Sequence, residues 1–151
     1  MRRKDRQITD REAIDTIIRR SRVCRLGMCD NGQPYIVPLS FGYDGDFLYV
    51  HVALEGRKVD ILQRNNRICF EFDRLEEVTS ADQACNWSMR YESVIGFGVA
   101  EMLEDVDAKM AALNCIMRQY SDTDWTFTGQ AVSATSVYRI RIEEITGKAR
   151  C

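Results

Sequence analysis

Residues 35–52 carry the clearest fold signal in this chain; they read Tyr35-Ile36-Val37-Pro38-Leu39-Ser40-Phe41-Gly42-Tyr43-Asp44-Gly45-Asp46-Phe47-Leu48-Tyr49-Val50-His51-Val52. Bulky and small side chains alternate as far as Tyr43, which predicts a strand with one bulky face and one small face. The segment 44–46 has turn composition, and a second alternating run follows from Phe47. Strands joined by so short a turn should be antiparallel.

Four further runs have strand character, at residues 23–29, 67–73, 88–103 and 136–145. Asn31-Gly32 predicts a tight turn between the first of these and the central stretch. Gly96 and Gly98 lie inside the longest run, where one face should be bare for close packing. Because exposed sheet edges are safest when a sheet closes on itself, we expect a small antiparallel barrel of the α+β class with six strands.

Three helices are expected outside the barrel. Thr9 and Glu12 match a capping box that begins the first helix, and an apolar stripe continues to Ile18. The second helix should run from about Gly56 to Asn65, and the third from Val106 to about Tyr120. Segments 74–86 and 121–133 are polar or irregular and are expected to be loops.

Composition limits the function classes. The chain has 151 residues, 45% hydrophobic and 29% charged, with a formal net charge of −2. We expect one domain over residues 1–151 and no nucleic-acid partner. No apolar run approaches the ~20 residues of a membrane span, and no apolar stretch follows the N-terminal charges as in a secretory signal. A cytoplasmic location is therefore expected.

The six cysteines do not form a metal or disulfide pattern. They are scattered without a CxxC pair, and the chain has a single histidine, so no metal site is expected. Cys24, Cys69 and Cys115 lie in apolar runs and should be buried reduced thiols. Cys85 and Cys151 have more polar surroundings and could be exposed.

An anion site is predicted where the third strand changes into a helix. Gly56 permits close approach of the backbone, and Arg57 and Lys58 place two cations at a helix start, where the macrodipole favours anions. Phosphate is the anion that this arrangement suits best. The alternative is a solvated pair of cations, paired with Glu55 or Asp60. His51 precedes this turn by five residues and is either functional or a structural hydrogen-bonding group.

Pro38 and Ser40 suggest a surface for a flat ligand. Proline inside a strand removes a ladder donor, and with Ser40 and Gly42 it makes a narrow face along which a ring could lie. The alternative is an edge strand or a bulge.

Five motifs in order resemble the pyridoxamine 5′-phosphate oxidase-like flavoproteins, and within them the nitroimidazole resistance (Nim-type) branch. The motifs comprise residues 35–42, 51–58, 65–73, 91–98 and 143–148, and the resemblance runs over nearly the whole chain, from about Arg2 to Lys148. The resemblance implies a six-stranded antiparallel Greek-key split β-barrel with about three flanking helices. It also implies a homodimer that binds FMN in its interface.

The resemblance assigns roles to individual residues. Arg57 and Lys58 fall where the family grips the FMN phosphate, and Gly56 falls where relatives often have a small hydroxyl residue. The strand that lines the isoalloxazine ring holds Pro38, Leu39 and Ser40. The segment around Tyr91 and Ser93 is similar to the part that reaches FMN from the partner subunit. His51 has the position typical of the Nim-type branch, near the ring and the substrate.

These implications predict an FMN-dependent oxidoreductase that reduces small electrophiles such as nitroimidazoles and other nitroaromatics, with His51 as the catalytic proton donor or orienting group. NAD(P)H could reduce the flavin by docking directly beside it. No G-x-G-x-x-G motif follows a strand, so no separate dinucleotide-binding domain is expected. The chain ends soon after Lys148 without the basic C-terminal residues of the oxidases, so pyridoxamine phosphate oxidation is not expected. The alternatives are a non-catalytic flavin sensor or storage protein, and an interaction module without cofactor.

Overall fold

The structure, a computed structural model, describes residues 3–150. Its strands are β1 (Gln7–Ile8), β2 (Cys24–Asp30), β3 (Gln33–Leu39), β4 (Gly42–Tyr43), β5 (Phe47–Val52), β6 (Arg67–Thr79), β7 (Ser88–Met102) and β8 (Ser136–Arg150). Its α-helices are α1 (Arg11–Arg20), α2 (Arg57–Arg64), α3 (Val106–Arg118) and α4 (Gly129–Ser133). Single 3-10 turns occupy Lys4–Arg6 and Ala84–Asn86.

All eight strands join one antiparallel sheet in the order β3-β2-β6-β7-β8-β5-β4, with β1 added against β8. The predicted antiparallel α+β barrel is therefore confirmed, with eight strands rather than six. The difference comes from β1 and from a break in the predicted strand 35–43. Only Ser40 and Phe41 separate β3 from β4, yet these strands lie at opposite ends of the sheet order. The sheet consequently curls until its two ends meet at this break.

The barrel interior is filled by alternate residues of the strands. β2, β5 and the first half of β6 bury every second side chain, as expected when one face of a strand packs on a core. Phe41, Phe70 and Phe72 are fully buried, and the Phe41 and Phe72 rings are 4.8 Å apart. Helices α1 and α2 contribute their apolar stripes to the same core.

Helices α3 and α4 cover the outer face of β5 and β8 and form a second, smaller core. Ala112, Leu113 and Ile116 of α3 pack there with Val132 of α4 and Val137 of β8. Among residues 3–150, no helix combines the length and apolar character needed to cross a membrane.

Several local expectations are corrected. Asp10, not Thr9, caps α1, because its carboxylate accepts a hydrogen bond from the Ala13 N–H. The first part of the expected loop 74–86 is strand, since β6 continues to Thr79 and pairs with the start of β7. Helix α4 lies within the expected irregular segment 121–133, and α3 ends two residues before Tyr120.

The cysteines of the described part are free thiols. Cys24 is buried and Cys69 and Cys115 are half-buried, so the expectation of buried thiols holds fully only for Cys24. Burial raises the pKa of Cys24 to about 12 and that of Cys115 to about 11, which keeps both protonated at neutral pH. Cys85 is exposed as expected, and Cys151 lies outside the described residues.

Candidate functional site

No ladder hydrogen bonds join the free edge of β3 to the segment that follows β5, and we call the space between these two segments the gap. β4 pairs with β5 only through Gly42 opposite Tyr49 and Tyr43 opposite Leu48. Beyond that point the Phe41 N–H donates to Tyr120 Oη at 3.1 Å and leaves the ladder. At the far end, the Arg57 guanidinium lies 4.4 Å from the centroid of the Tyr35 ring. The two segments therefore run antiparallel and touch at both ends, without ladder hydrogen bonds between them.

One end of this gap has the properties of a phosphate site. Gly56 begins α2 with φ of +124°, a conformation that favours glycine, and no side chain caps the helix. The first backbone N–H groups of a helix have no partner within it. The side chains of Arg57 and Lys58 form no ion pair or hydrogen bond with any residue in 3–150, so the suggested pairing with Glu55 or Asp60 is not seen. An oxyanion here would meet N–H donors and two available cations.

Tyr35 is a member of this site that the sequence did not reveal. Its side chain packs against the core, as the alternation predicted, but its ring also carries the Arg57 guanidinium. Stacking on an aromatic face limits the rotamers of arginine before any ligand binds. An aromatic residue in β3 gives no sign in the sequence that it contacts a residue 22 positions later.

The wall of the gap on the β3 side is small and exposed. β3 pairs only with β2 and is an edge strand, which explains how Pro38 is accommodated in it. Pro38 and Ser40 are exposed, whereas Leu39 packs its side chain against the core. Leu39 can therefore contribute to the gap only through its backbone.

His51 lies on the opposite wall, near the end of β5. Its side chain is exposed and it pairs across the ladder with Val137. Continuing the register of β4 and β5 by two residues would bring Ser40 opposite His51. Both residues follow closely on the last paired residues of β4 and β5, near the point where the two segments separate.

Arg25, the ladder partner of Pro38, has acidic partners, whereas Arg57 and Lys58 have none within residues 3–150. Its guanidinium contacts Glu71 at 3.2 Å and also pairs with Asp73. Burial, then the neighbouring charge of Asp73, raises the pKa of Glu71, while Arg25 acts in the opposite direction. The charge of Arg25 is thus engaged within the sheet.

Tyr91 and Ser93 are not brought to the gap within one chain. Ladder pairing places four residues on one outer face of the sheet in the order Pro38, Arg25, Glu71, Ile95. Three strand spacings separate the first from the last, or about 14 Å. Ser93 and Tyr91 lie further along β7 on the same face, opposite Lys148 and Arg150.

The surroundings of Tyr91 are strongly basic. Lys148 Nζ lies 5.5 Å from the centroid of the Tyr91 ring. Hydrogen bonding to Lys148, assisted by Arg6, lowers the pKa of the Tyr91 phenol. The sequence does not reveal that Lys148 lies beside Tyr91, because this contact depends on the pairing of β7 with β8.

In the part of the chain that is described, no group of three or more histidine, cysteine, aspartate or glutamate side chains lies close enough together to hold a metal ion.

Comparisons with known proteins agree with this fold. A structure of a candidate 5-nitroimidazole antibiotic resistance protein from Bacteroides thetaiotaomicron is 38% identical, with a TM-score of 0.86, over 95% of this chain and 86% of the other. The flavocytochrome Anf3 from Azotobacter vinelandii has a TM-score of 0.89 at 25% identity, over all of this chain and 72% of its own. A FAD-binding protein from Mesorhizobium loti has a TM-score of 0.73 at 25% identity, over 97% of this chain and 98% of its own.

Among curated proteins, an uncharacterised protein of Rhizobium meliloti (strain 1021) is 28% identical over 65 residues, which is 43% of this chain. That match spans only 42% of the length of the relative. The sequence profile of the family described as pyridoxamine 5′-phosphate oxidase, by contrast, matches residues 10–149. The chain therefore belongs to the pyridoxamine 5′-phosphate oxidase family.

Proposed function

We propose that this protein is a homodimeric FMN-dependent oxidoreductase that reduces small electrophiles, nitroimidazoles and other nitroaromatics among them. One observation carries the proposal: the gap between β3 and residues 51–57 has at one end two cations that form no ion pair within residues 3–150, and toward the other end the small, exposed side chains of Pro38 and Ser40. A cationic end and a flat, narrow slot match the phosphate and the ring of FMN respectively.

The residues present fit the cofactor. Arg57, Lys58 and the N–H groups at the start of α2 would hold the phosphate, and Pro38 and Ser40 would flank the ring. Bound FMN would supply a ring able to pass a hydride from a reduced nicotinamide to an electrophile. His51, exposed near the point where the two segments separate, would orient the acceptor and supply a proton at its imidazole.

Dimerisation is proposed from the outer face of the sheet. Tyr91 and Ser93 cannot reach the gap of their own chain, but those of a second copy could. Three large apolar side chains on this face are exposed, namely Ile36 at 63%, Ile95 at 45% and Phe97 at 48%. Burying them between two copies would stabilise the dimer and exclude water from the flavin.

Nitro reduction is favoured over other electrophile chemistry by the Bacteroides thetaiotaomicron protein, which is similar over 95% of the chain. We further propose a cytoplasmic location, where a reduced nicotinamide is at hand and the free thiols of the described part would stay reduced.

The test is spectroscopic and kinetic. The purified protein should show a flavin spectrum, and the extracted cofactor should be FMN. NADPH or NADH should bleach it without oxygen, and a nitroimidazole should restore the absorbance. His51→Ala should slow the second step at least tenfold while FMN stays bound, and His51→Gln should be equally slow because it cannot transfer a proton.

The outcomes separate the alternatives. Unchanged reoxidation in both His51 variants would remove this residue from the mechanism. Bound flavin that no nitro compound reoxidises faster than oxygen would identify a non-catalytic sensor or storage protein. A colourless protein that does not take up FMN would overturn the proposal and favour an interaction module.

A second cofactor is suggested by one comparison. A flavocytochrome, which by definition carries haem, is similar to this chain over its whole length. The imidazole of His51 is the only one in the sequence and is exposed, so it could ligate haem iron. Added haemin should then give a Soret band that His51→Ala abolishes. No such band, or one that survives the substitution, would exclude this role.

A further inference from the structure

The hairpin formed by the ends of β6 and β7 has two chemically different faces. One face carries ion pairs, in which Glu76 contacts Arg20 and Arg90, and Glu77 contacts Arg90. The other exposes large apolar side chains: Leu75 is 57% exposed, Val78 49%, Trp87 55% and Met89 53%. So many exposed apolar groups on one face indicate a binding surface.

This apolar face borders a pocket of about 290 Å³ at the base of the hairpin. The lining residues are Val78, Trp87, Ser88, Met89, Tyr91 and Arg150. Ladder pairing explains the arrangement, since Val78 lies opposite Met89, and Tyr91 lies between Leu75 and Arg150. The pocket thus has an aromatic and thioether wall at one end and a guanidinium at the other.

Positive charge accumulates at the Tyr91 end. Lys148 Nζ lies 5.5 Å from the centroid of the Tyr91 ring, Lys148 and Arg6 together lower the pKa of its phenol, and Arg150 lies opposite Tyr91 in the ladder. Within residues 3–150, only Arg6 of these three cations is near a carboxylate, with its Nε 3.9 Å from Asp5 Oδ2. This end of the pocket therefore has an excess of cations over anions, and the phenol acts as a further hydrogen-bond donor.

We propose that this pocket binds a nucleotide, with its phosphate on Lys148 and Arg150 and its ring against Trp87 and Met89. A neutral nitroaromatic would gain little from the cations, and phosphate alone would gain nothing from the apolar wall. Aromatic stacking on tryptophan and charge-assisted bonds to phosphate are the two interactions that a nucleotide combines.

The identity of the nucleotide rests on the proposed function. Tyr91 borders this pocket and is also the residue expected to contact the flavin of the partner subunit. Because a flavin oxidoreductase needs a hydride donor, a reduced nicotinamide nucleotide is the occupant that the proposed function favours. The adenylate half of a larger flavin has the same chemistry and is the competing source.

Fluorescence of Trp87 provides a direct test. Trp125→Phe removes the other tryptophan, so the remaining emission reports the pocket. In this background, nicotinamide mononucleotide should quench the emission to saturation, and nicotinamide riboside should bind at least tenfold more weakly. AMP in place of nicotinamide mononucleotide distinguishes the two sources: tighter binding of AMP would assign the pocket to an adenylate and overturn the donor assignment.

Charge variants complete the test. The double variant Lys148→Gln/Arg150→Gln should bind nicotinamide mononucleotide at least tenfold more weakly. Its affinity for the riboside and for FMN should not change. Arg150→Lys should restore part of the loss. Arg118→Gln removes the same charge from α3, where it pairs with Asp124 outside the pocket, and should have no effect.

Opposite results would overturn the site. Equal binding of mononucleotide and riboside would show that the cations are not used. A loss of FMN affinity in the double variant would show that the pocket belongs to the flavin site, and a change in dimerisation would show that a second copy covers it. FMN uptake is measured separately, so nucleotide binding without FMN would disprove the proposed function and leave the pocket intact.

Discussion

Replacing Arg57 with methionine should weaken the binding of FMN through its phosphate alone. The methionine keeps an unbranched stem beside Tyr35 but loses the guanidinium that lies 4.4 Å from that ring. Riboflavin has the same ring system without the phosphate. Arg57→Met should therefore reduce the affinity for FMN and leave the affinity for riboflavin unchanged.

The size of the effect follows from what remains at the site. A hydrogen bond to a charged group contributes about 1.5–3 kcal/mol, and each 1.4 kcal/mol is a tenfold change in affinity, which gives roughly 10- to 150-fold. Arg57 is exposed, and Lys58 and the N–H groups of α2 stay in place, so the lower end of about tenfold is expected. Arg57→Lys should recover part of it, since lysine keeps the charge but not the planar fork.

The assay is quenching of flavin fluorescence on titration of the apoprotein with FMN and with riboflavin. Arg64→Met is the matched control, because Arg64 lies on the same helix but pairs with Asp30 at 2.8 Å. Equal weakening of FMN and riboflavin by Arg57→Met would refute the assignment, as would a tenfold loss of FMN affinity in Arg64→Met. In the first case the substitution would act through the structure of the gap rather than through the phosphate.

Two further predictions concern the fold itself. Gly96→Ala should destabilise the protein by about 1–3 kcal/mol in urea unfolding, because a Cβ there would lie 2.6 Å from the Glu144 carbonyl oxygen and overlap the buried Phe70 ring. Gly129→Ala, where a Cβ meets nothing within 4 Å, is the control and should not destabilise; equal losses would contradict the packing argument. Burial and a hydrogen bond to Asp15 raise the pKa of Tyr43 to about 12, so its stabilising contribution is complete below about pH 10 and is lost as the pH rises through 12. Tyr43→Phe should therefore flatten the fall in unfolding free energy between pH 10 and 12; an unchanged slope would show that Tyr43 does not titrate with unfolding.

The phosphate end of the gap was predictable from the sequence because its parts are contiguous. Gly56, Arg57 and Lys58 stand where a strand pattern gives way to a helix pattern, and helix geometry then dictates which N–H groups are left without partners. Helix α2 begins and ends one residue inside the predicted bounds, and this difference is of no consequence for that argument.

The gap itself was not predictable. The alternation from Tyr35 to Tyr43 continues without interruption, so the sequence predicts one strand, whereas the chain changes from one end of the sheet to the other at Ser40 and Phe41. The cause is a partner 79 residues away, since the Phe41 N–H is taken by Tyr120 Oη. Periodicity describes only local burial and contains no information about such a long-range hydrogen bond.

The β6–β7 hairpin was missed for a different reason. Its polar composition predicted a loop, but the polar residues form cross-strand and helix contacts such as those of Glu76 with Arg20 and Arg90. Charged residues disfavour a strand on average and still form one when each has an oppositely charged neighbour. The pairing that satisfies them depends on the register of two distant segments.

The hydrogen bond from Phe41 to Tyr120 leads to a prediction about the shape of the gap as a whole. Tyr120 also donates to the Arg22 carbonyl oxygen at 3.0 Å, so its hydroxyl joins the end of β3 to the segment that precedes β2. Tyr120→Phe leaves the Phe41 N–H without a partner, which should cost about 1–3 kcal/mol in urea unfolding. Because both walls of the gap start at this point, the affinities for FMN and for riboflavin should fall by the same factor, unlike in Arg57→Met.

Tyr138→Phe is the control, since the buried Tyr138 hydroxyl has no partner within residues 3–150 and its loss should cost little stability. A change in the ratio of FMN to riboflavin affinity in Tyr120→Phe would show that Tyr120 acts on the phosphate end, and the argument from the common origin of the two walls would fail.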